Sequence, residues 1–473
     1  MFDRPLKPAA PRKSQYNIDP ELLEKRAADL PGMASVKVSD LFPELPRSIY
    51  SPGDDVKVIR AKTLEALSSV DMSKIKPGDS VNILTSHHGF TLYGGEAYAE
   101  MIRTIKDAIE ERTGATDIRL RAGVGLRFRE TEEYIKKFGL DDYFKGKAIG
   151  VAPIDAGVPI ETAIGTLYGI KRVYDARWIV HVHNNDVREL HYHRQIGRLF
   201  KPFAMSYATI ETRSLYHQGL GPRAANFLPR VIFDSDFVQS KFAFSVFLLV
   251  TPSGIVGVDG DNDLVRQDAR VARLNLESYG KIITLLSSID EVIIVMDYPG
   301  PAPYTTAGGI LFGNILNATV DEFDLDVGLP PFTRYSDMLY DKKGKPILKD
   351  MPPPNPAIKM LIINYCSRGY PGTFFAQQIP TIVVGPMADL LAACEQNPEF
   401  MKYALRADNL DAAMAFARRV TGVSNVLAFD GAQGGYNASE SLIEFLKREA
   451  PRVSEKVDRI LMPKWLKQRG LAS

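Results

Sequence analysis

The feature that most constrains the fold of this chain is an alternation of strand-like and helix-like segments. Residues 81–84 form a short apolar run, residues 96–112 carry apolar side chains at helical spacing, and residues 117–122 alternate polar and apolar side chains. Gly114 follows the helical segment, where a C-terminal cap belongs. Strands separated by helices build a mostly parallel sheet with helices on its faces, and such sheets bind ligands beyond the carboxyl ends of their strands. The pattern therefore predicts an α/β fold.

A second set of strand and helix segments follows a long helical stretch at residues 263–285. The chain has 473 residues, which is the size of two or three domains. We expect an irregular N-terminal arm over residues 1–80, packed on a first α/β domain over residues 81–280, and a second α/β domain over residues 287–473. Each domain is predicted to hold a mostly parallel sheet flanked by helices, with the active site in the cleft between the domains. Further strands are predicted at residues 178–183, 242–250, 255–258, 293–296, 360–363, 381–384 and 426–429, and further helices at residues 388–395, 410–420 and 439–448.

The composition argues against several classes of function. Lysine and arginine total 58, and aspartate and glutamate total 57, so no overall field of one sign attracts nucleic acid or an anionic membrane. Residues 1–13 lack the apolar core of a secretory signal, and the most apolar run, residues 242–250, is about half as long as the roughly 20 residues of a membrane helix. The two cysteines, Cys366 and Cys394, fit neither a disulfide framework nor a thiolate metal cluster. We expect a cytoplasmic protein that binds neither nucleic acid nor membrane, and the sequence leaves its oligomeric state open.

Histidines supply the main indication of chemistry. All seven lie in two groups, and imidazole is both the commonest metal ligand and the usual general base near neutral pH. His181 and His183 lie two apart on a predicted strand, so their rings share a face and could bind one metal ion. By itself this pattern favours a metal-dependent hydrolase or isomerase. The two groups are His87 and His88, and His181, His183, His191, His193 and His217.

A longer pattern runs through the second group of histidines. Lys201 lies ten residues after His191, and His217 lies sixteen residues after the lysine. Glu211-Thr212 stands between the lysine and the last histidine. This order and spacing resembles the central motif of the nickel-pincer lactate racemase family, whose members racemise or epimerise 2-hydroxy acids. The resemblance covers about residues 81–261. Similar segments occur in the same order at residues 125–127, 131–133, 157–161, 242–250 and 255–259.

The resemblance implies an isomerase, either a racemase or epimerase or a related hydride-shuttling enzyme, whose substrate is a small 2-hydroxy acid or sugar acid. Its cofactor would be the nickel-pincer nucleotide, nickel pyridinium-3,5-bisthiocarboxylic acid mononucleotide. By position, Lys201 corresponds to the lysine that tethers this cofactor through a thioamide, and His217 to the remaining nickel ligand. His191 corresponds to the general base that takes the substrate's hydroxyl proton while the α-hydride moves to the cofactor ring.

The chain departs from the family pattern at several positions. Arg127 stands where the family has its second catalytic histidine, and arginine cannot act as a base near neutral pH. A guanidinium binds carboxylates through two parallel hydrogen bonds, so we expect Arg127 to bind the acid group of the substrate. Residues 86–90 replace a family loop after the first strand, and His87 or His88 in this segment is expected to be the second base. Gly308-Gly309 stands where the family has a lysine, which keeps a non-catalytic binding protein on the same fold as another interpretation.

A separate loop, residues 430–437, carries three glycines between a predicted strand and a helix expected to begin near Ser439. Backbone N–H groups at a helix N-terminus bind anions, and an ordinary tight turn explains the glycines equally well. The sequence leaves both interpretations open.

Overall fold

The structure is a computed structural model, and it describes residues 2–8, 20–91, 94–124, 130–185, 198–215, 227–298, 355–366, 373–393 and 399–471. The described residues form a mixed α/β protein with two mostly parallel sheets that are flanked by helices, as the alternation predicts. None of the described helices is both long and apolar enough to cross a membrane.

The strands of the described residues are numbered in chain order. They are β1 Met33–Lys37, β2 Ser80–Ser86, β3 Asp117–Gly123, β4 Ala148–Val151, β5 Gly157–Thr162, β6 Gly165–Ile170, β7 Trp178–Asn184, β8 Phe242–Thr251, β9 Gly254–Asp261, β10 Val292–Asp297, β11 Ile358–Tyr365, β12 Thr381–Val384, β13 Leu405–Ala407, β14 Val426–Phe429 and β15 Gly435–Ser439.

The helices of the described residues are numbered in the same way. They are α1 Val38–Leu41, α2 Lys57–Leu67, α3 His87–Thr91, α4 Gly95–Thr113, α5 Glu130–Lys137, α6 Leu140–Tyr143, α7 Lys201–Ala204, α8 Ile210–Ser214, α9 Leu228–Phe233, α10 Asp236–Gln239, α11 Leu264–Leu286, α12 Thr373–Gln378, α13 Gly385–Ala392, α14 Leu410–Thr421, α15 Glu440–Lys456 and α16 Met462–Gln468. Short 3-10 helices lie at Pro20–Leu22, Ala27–Asp29, Lys171–Val173, Arg198–Phe200 and Phe400–Lys402, and a π-helical turn lies at Val457–Leu461.

The first large sheet has six strands in the order β4-β3-β2-β7-β8-β9. Neighbouring strands run parallel from β4 to β8, and β9 pairs with β8 in an antiparallel hairpin. Ile83 and Val180 belong to a core that includes the apolar side of α4, whereas Leu84 and Ile179 belong to a second core with Phe203. Because alternate strand residues point to opposite faces, this sheet is covered by apolar packing on both faces.

Helix α4 confirms the helix predicted at residues 96–112. Gly114 has a φ of 72°, and its N–H donates to the carbonyl oxygen of Glu110 at 3.0 Å. This left-handed conformation favours glycine, so the predicted C-terminal cap is also confirmed. The predicted apolar stripe is fully buried and consists of Met101, Ile102, Ile105 and Ile109.

The second large sheet has seven strands in the order β1-β15-β14-β10-β11-β12-β13. Strands β10 to β14 run parallel, β15 is antiparallel to β14, and β1 is antiparallel to β15. The strands predicted at residues 293–296, 360–363, 381–384 and 426–429 are β10, β11, β12 and β14. A separate antiparallel pair is formed by β5 and β6.

The chain separates into two compact units. Among the described residues, the six-stranded unit comprises residues 47–185 and 198–274, and the seven-stranded unit comprises residues 2–46 and 275–471. Each unit contains one of the two large sheets.

This division differs from the arm predicted over residues 1–80. Strand β1 belongs to the sheet of the seven-stranded unit, while α2 packs its buried residues Ile59 and Leu67 into the core of the six-stranded unit. A five-residue strand offers little hydrophobic periodicity, and β1 is held by backbone pairing with β15, which is about 400 residues away in sequence. The local sequence therefore did not reveal it.

Candidate functional site

The chain order of the six-stranded sheet creates a switch point between β2 and β7. From β2 the chain moves outward through β3 to β4, and from β7 it moves in the opposite direction through β8 to β9. Where the direction reverses, the segments that leave the carboxyl ends of the two central strands diverge and open a crevice, which is where such sheets bind ligands. Polar residues lie at the carboxyl ends of both strands. They are Ser86, His87 and His88 at β2, and His183, Asn184 and Asn185 at β7.

At this switch point a serine hydroxyl is hydrogen-bonded to an imidazole. Ser86 is the last residue of β2, and its Oγ bonds Nε2 of His183 on β7. Nδ1 of His183 lies 2.7 Å from the carbonyl oxygen of Asn184. Because a carbonyl oxygen only accepts, Nδ1 donates in this bond, and in the neutral form of the ring Nε2 accepts from the serine hydroxyl. Ser86 is 0% exposed and His183 is 1% exposed.

His181 lies on the same face of β7, two residues before His183. Its Nε2 lies 3.0 Å from the carbonyl oxygen of Leu199, and its Nδ1 lies 2.9 Å from the hydroxyl of Tyr207. Burial, reinforced by the neighbouring His183, lowers the pKa of His181 to about 3, so this ring is neutral at pH 7. Burial also raises the pKa of Tyr207 well above its ordinary value, so its hydroxyl keeps its proton.

These contacts count against a metal site on His181 and His183. Every ring nitrogen of the two residues already bonds a protein atom, so a metal could bind there only if one of these bonds were broken. Across the described ranges, no group of three or more histidine, cysteine, aspartate or glutamate side chains is arranged to hold a metal ion. His191 and His193, which belong to the same sequence group of histidines, lie outside the described residues.

His87 and His88 begin helix α3 rather than lying in a loop, and they are 5% and 6% exposed. Their ring centroids are 5.5 Å apart, and the ring of His87 lies 5.8 Å from that of Tyr134 on α5. The carbonyl oxygen of His88 accepts a hydrogen bond from Nδ2 of Asn184 at 3.3 Å. This bond joins the start of α3 to the end of β7, so the histidine pair lies beside the switch point.

An aromatic cluster holds α3 in this position. The ring of Phe90 stacks on Tyr134 at 5.7 Å and meets the ring of Tyr98 edge-on at 4.9 Å. The hydroxyl of Tyr98 donates to the carbonyl oxygen of Val182 at 2.7 Å. A Cβ atom on Gly89 would overlap the ring of Tyr98, so this close approach requires glycine. The cluster therefore holds His87 and His88 close to the end of β7.

Lys201 begins helix α7 and is 2% exposed. The residues just before Lys201 reach the face of the sheet that carries His181, because the carbonyl oxygen of Leu199 accepts a hydrogen bond from His181. The N–H of Leu199 donates to the carboxylate of Asp268 at 3.1 Å, and the buried Phe203 follows the lysine in the second core. The structure thus brings the predicted cofactor lysine to the layer that covers the histidine face of β7.

Glu211 and Thr212 lie in the short helix α8. Oγ1 of the buried Thr212 accepts from the N–H of Tyr168 at 2.8 Å. Glu211 is exposed, and its carboxylate accepts from the hydroxyl of Thr209, which lowers the pKa of Glu211. Both residues have local structural roles near the start of the helix.

Three predicted site residues, Arg127, His191 and His217, lie outside the described residues, as does Gly308-Gly309. Their roles stay predictions.

In the sequence, Ser86 belongs to the segment of residues 86–90, and no local pattern connects it to His183. The available signal was that both residues end apolar strand-like runs, but the pairing of β2 with β7 was needed to place them side by side. Tyr207 and Asp268 were also missed, because an isolated tyrosine or aspartate carries no local pattern.

The seven-stranded sheet has its own switch point, between β10 and β14. Asp297 ends β10, Asp430 follows β14, and both are buried. Nε of Arg26 and Nδ2 of Asn364 donate to Asp297 at 2.9 and 3.2 Å, and Nδ2 of Asn437 donates to Asp430 at 2.7 Å. Burial raises the pKa of Asp297 to about 6, against the opposing effect of Arg26, and it also raises the pKa of Asp430. These carboxyl groups are tied into a hydrogen-bonded network that joins the N-terminal residues to the sheet.

The glycine loop at residues 430–437 leads into strand β15, and helix α15 begins only afterwards at Glu440. The interpretation as an anion site at a helix N-terminus is therefore wrong. Gly431 and Gly434 have φ angles of 71° and 78°, a left-handed conformation that favours glycine.

No protein-family model matches this chain, and no curated protein matches it in sequence, so the chemistry of the site has to be inferred from its residues and their geometry.

Proposed function

We propose that the chain is an isomerase, either a racemase or epimerase or a related hydride-shuttling enzyme, which acts on a 2-hydroxy acid or sugar acid. The position of Lys201 is the observation that carries this proposal. Lysine is rarely buried, yet Lys201 is 2% exposed. It follows shortly after Leu199, whose carbonyl oxygen bonds His181. A group tethered to this lysine would lie close to the switch point between β2 and β7, where a sheet of this kind binds its ligand.

The buried amine fits a lysine-tethered nickel-pincer nucleotide. An amine can form a thioamide, and the linked nitrogen carries no charge, which suits a position where an ammonium ion is costly to bury. His181 and His183 have their ring nitrogens in hydrogen bonds with the protein. The nickel ligand in this proposal is His217, as the resemblance implies. The chemistry that such a nucleotide would supply, if bound to Lys201, is reversible hydride transfer at the α-carbon of the substrate.

The protein's own side chains have separate roles in this proposal. His191 takes the hydroxyl proton of the substrate as general base. Arg127 binds the acid group through two parallel hydrogen bonds. Racemisation needs a proton acceptor on each face of the reacting carbon, and His87 or His88, at the carboxyl end of β2, serves the second face. The placement of the active site in a cleft between the domains stays a prediction.

Intact-mass and metal analysis test the proposal. Protein from a host that makes the cofactor is expected to carry nickel and an added mass on Lys201, and Lys201→Gln is expected to lose both. Lys241→Gln is the matched control, because Lys241 is a partly buried lysine of the same unit whose amino group donates to the carbonyl oxygen of Ala176 at 2.9 Å. Stoichiometric zinc without added mass on Lys201 would contradict the proposal and favour the metal-dependent hydrolase.

The second base is tested by replacing His87 and His88 with glutamine. General-base help is worth roughly 10²–10⁴ in rate, so loss of the correct histidine is expected to lower turnover by that factor with little change in substrate binding. Arg127→Ala is expected instead mainly to weaken binding. Full activity of the double histidine variant on a confirmed substrate would show that neither is the base.

A further inference from the structure

We propose that Ser86 and His183 form a nucleophile and general-base pair that transfers the acyl group of an ester or thioester. This inference does not depend on the lysine-tethered cofactor, because both residues belong to the polypeptide and their bond is present without any bound group.

The direction of the hydrogen bonds supports this role. The carbonyl oxygen of Asn184 only accepts, so it holds the proton of His183 on Nδ1 and leaves the lone pair of Nε2 directed at the hydroxyl of Ser86. A serine is activated when an adjacent base can take its proton and a third group orients that base. In this protein the orienting group is a backbone carbonyl.

The position of the pair in the fold supports a chemical role over a structural one. Ser86 ends β2, and His183 lies at the end of β7, so the pair occupies the switch point at which a parallel sheet binds its ligands.

Ser245 provides an internal comparison. It lies on β8, opposite His181 in the strand register, and it is as buried as Ser86. Its hydroxyl donates to Oε1 of Gln267 at 2.6 Å. An amide oxygen is not a base near neutral pH, so Ser245 shares the burial of Ser86 without its activation.

The proposed step is balanced as follows. The hydroxyl proton of Ser86 moves to Nε2 of His183 while a bond forms between Oγ and the acyl carbon. The bond from that carbon to the leaving alkoxide or thiolate breaks, and the leaving group takes the proton from Nε2. A water molecule then gives its proton to Nε2 while its oxygen bonds the acyl carbon. The bond between Oγ and the acyl carbon breaks, Oγ takes the proton back from Nε2, and the acyl group leaves as the carboxylic acid.

An organofluorophosphate probe tests the pair in the whole chain. Diisopropyl fluorophosphate reacts with an activated serine by forming a bond from Oγ to phosphorus and releasing fluoride. Protein made in a host that lacks the nickel cofactor is expected to gain one adduct, and peptide mass spectrometry is expected to locate it on Ser86. Because the base contributes roughly 10²–10⁴ in rate, His183→Gln is expected to slow labelling at least about a hundredfold. Ser245→Ala is expected to label like the unmodified chain.

Either of two results would overturn the proposal. One is natively folded protein that gains no adduct on Ser86, since a serine beyond the reach of this small probe cannot receive an acyl group. The other is a folded His183→Gln variant that labels at the original rate. If that variant does not fold, the location of the adduct on Ser86 rather than Ser245 in the unmodified chain still decides the question. The outcome is independent of nickel or added mass on Lys201, so each proposal can fail without the other.

Discussion

At the scale of single residues, the site depends on which nitrogen of each histidine carries a proton. Neutral His181 donates from Nε2 to Leu199, so its Nδ1 accepts from the hydroxyl of Tyr207. The same hydroxyl lies 3.1 Å from the carbonyl oxygen of Leu84, and one proton cannot serve both acceptors. A charged imidazole would satisfy every contact. However, burying a charge costs several kcal/mol, against about 1 kcal/mol net for one hydrogen bond, so the neutral ring prevails.

The buried neutral ring of His181 predicts an acid-sensitive stability. Its pKa is about 3 in the folded chain and about 6.5 in the unfolded chain, so only the unfolded chain takes up a proton as pH falls between these values. The contribution of His181 to the free energy of unfolding is therefore fully present above about pH 6.5 and is lost on acidification. Between pH 7 and pH 5 the loss is expected to be about 2 kcal/mol.

Urea unfolding of the original chain and of His181→Phe at both pH values measures this contribution. Phenylalanine does not titrate, and its ring fits beside Phe203 and Phe247, whose centroids lie 5.2 and 5.0 Å from that of His181. The variant is expected to lose about 2 kcal/mol less on acidification. An identical pH dependence in the two proteins would show that His181 is not the titrating group.

At the scale of elements, the site depends on a close approach between the end of β3 and the segment after α7. A Cβ atom on Gly123 would overlap the carbonyl oxygen of Ser206 and lie 2.8 Å from its Cβ. The hydroxyl of the next residue, Tyr207, lies within hydrogen-bonding distance of both Leu84 and His181. The absence of a side chain at Gly123 therefore lets this segment reach the histidine face of the sheet.

Gly123→Ala is expected to lower the free energy of unfolding by about 2 kcal/mol, since overpacking costs about 1–3 kcal/mol and the obstructing atom is backbone. Gly257→Ala is the matched control in the same sheet, because the nearest atom to its added Cβ is Cδ1 of Leu249 at 3.9 Å. That change is expected to stay within about 0.5 kcal/mol. Equal effects in denaturant unfolding would show that the approach to Ser206 is not tight.

At the scale of the whole molecule, the two units are built from different parts of the chain. The six-stranded unit takes its sheet from residues 47–274. The seven-stranded unit combines the C-terminal half of the chain with N-terminal residues that supply β1, core side chains such as Leu30 and Met33, and the guanidinium of Arg26 on buried Asp297.

A fragment of residues 47–274 is expected to fold alone and to unfold cooperatively, because it retains the whole sheet and the apolar cores on both faces. A fragment of residues 275–473 is expected not to fold, since it lacks β1 and leaves Asp297 buried without Arg26, and breaking a buried pair costs about 3–5 kcal/mol. Circular dichroism and urea titration of both fragments check this. Cooperative unfolding of the second fragment would show that the N-terminal residues are dispensable.

Much of the secondary structure follows from the sequence alone. The strands β2, β3 and β7 and the helix α4 with its cap at Gly114 agree with prediction to within a few residues. These features depend on hydrophobic period and capping, which are properties of neighbouring residues and can be read locally. The same local signal was weak for β1, because a short strand is stabilised mainly by the backbone of its partner.

The tertiary structure decided which of the predicted polar residues meet. The histidine clusters and Lys201 could be identified by residue type and spacing. The pairing of β2 with β7, however, brought Ser86 into contact with His183. The path of the chain from Leu199 to Tyr207 placed a hydrogen-bond partner at each ring nitrogen of His181. Strand order depends on how distant apolar faces are buried together, and a register determines which side chains become neighbours. No local pattern encodes either property. Chemistry that depends on two strands meeting is therefore visible only in the folded chain.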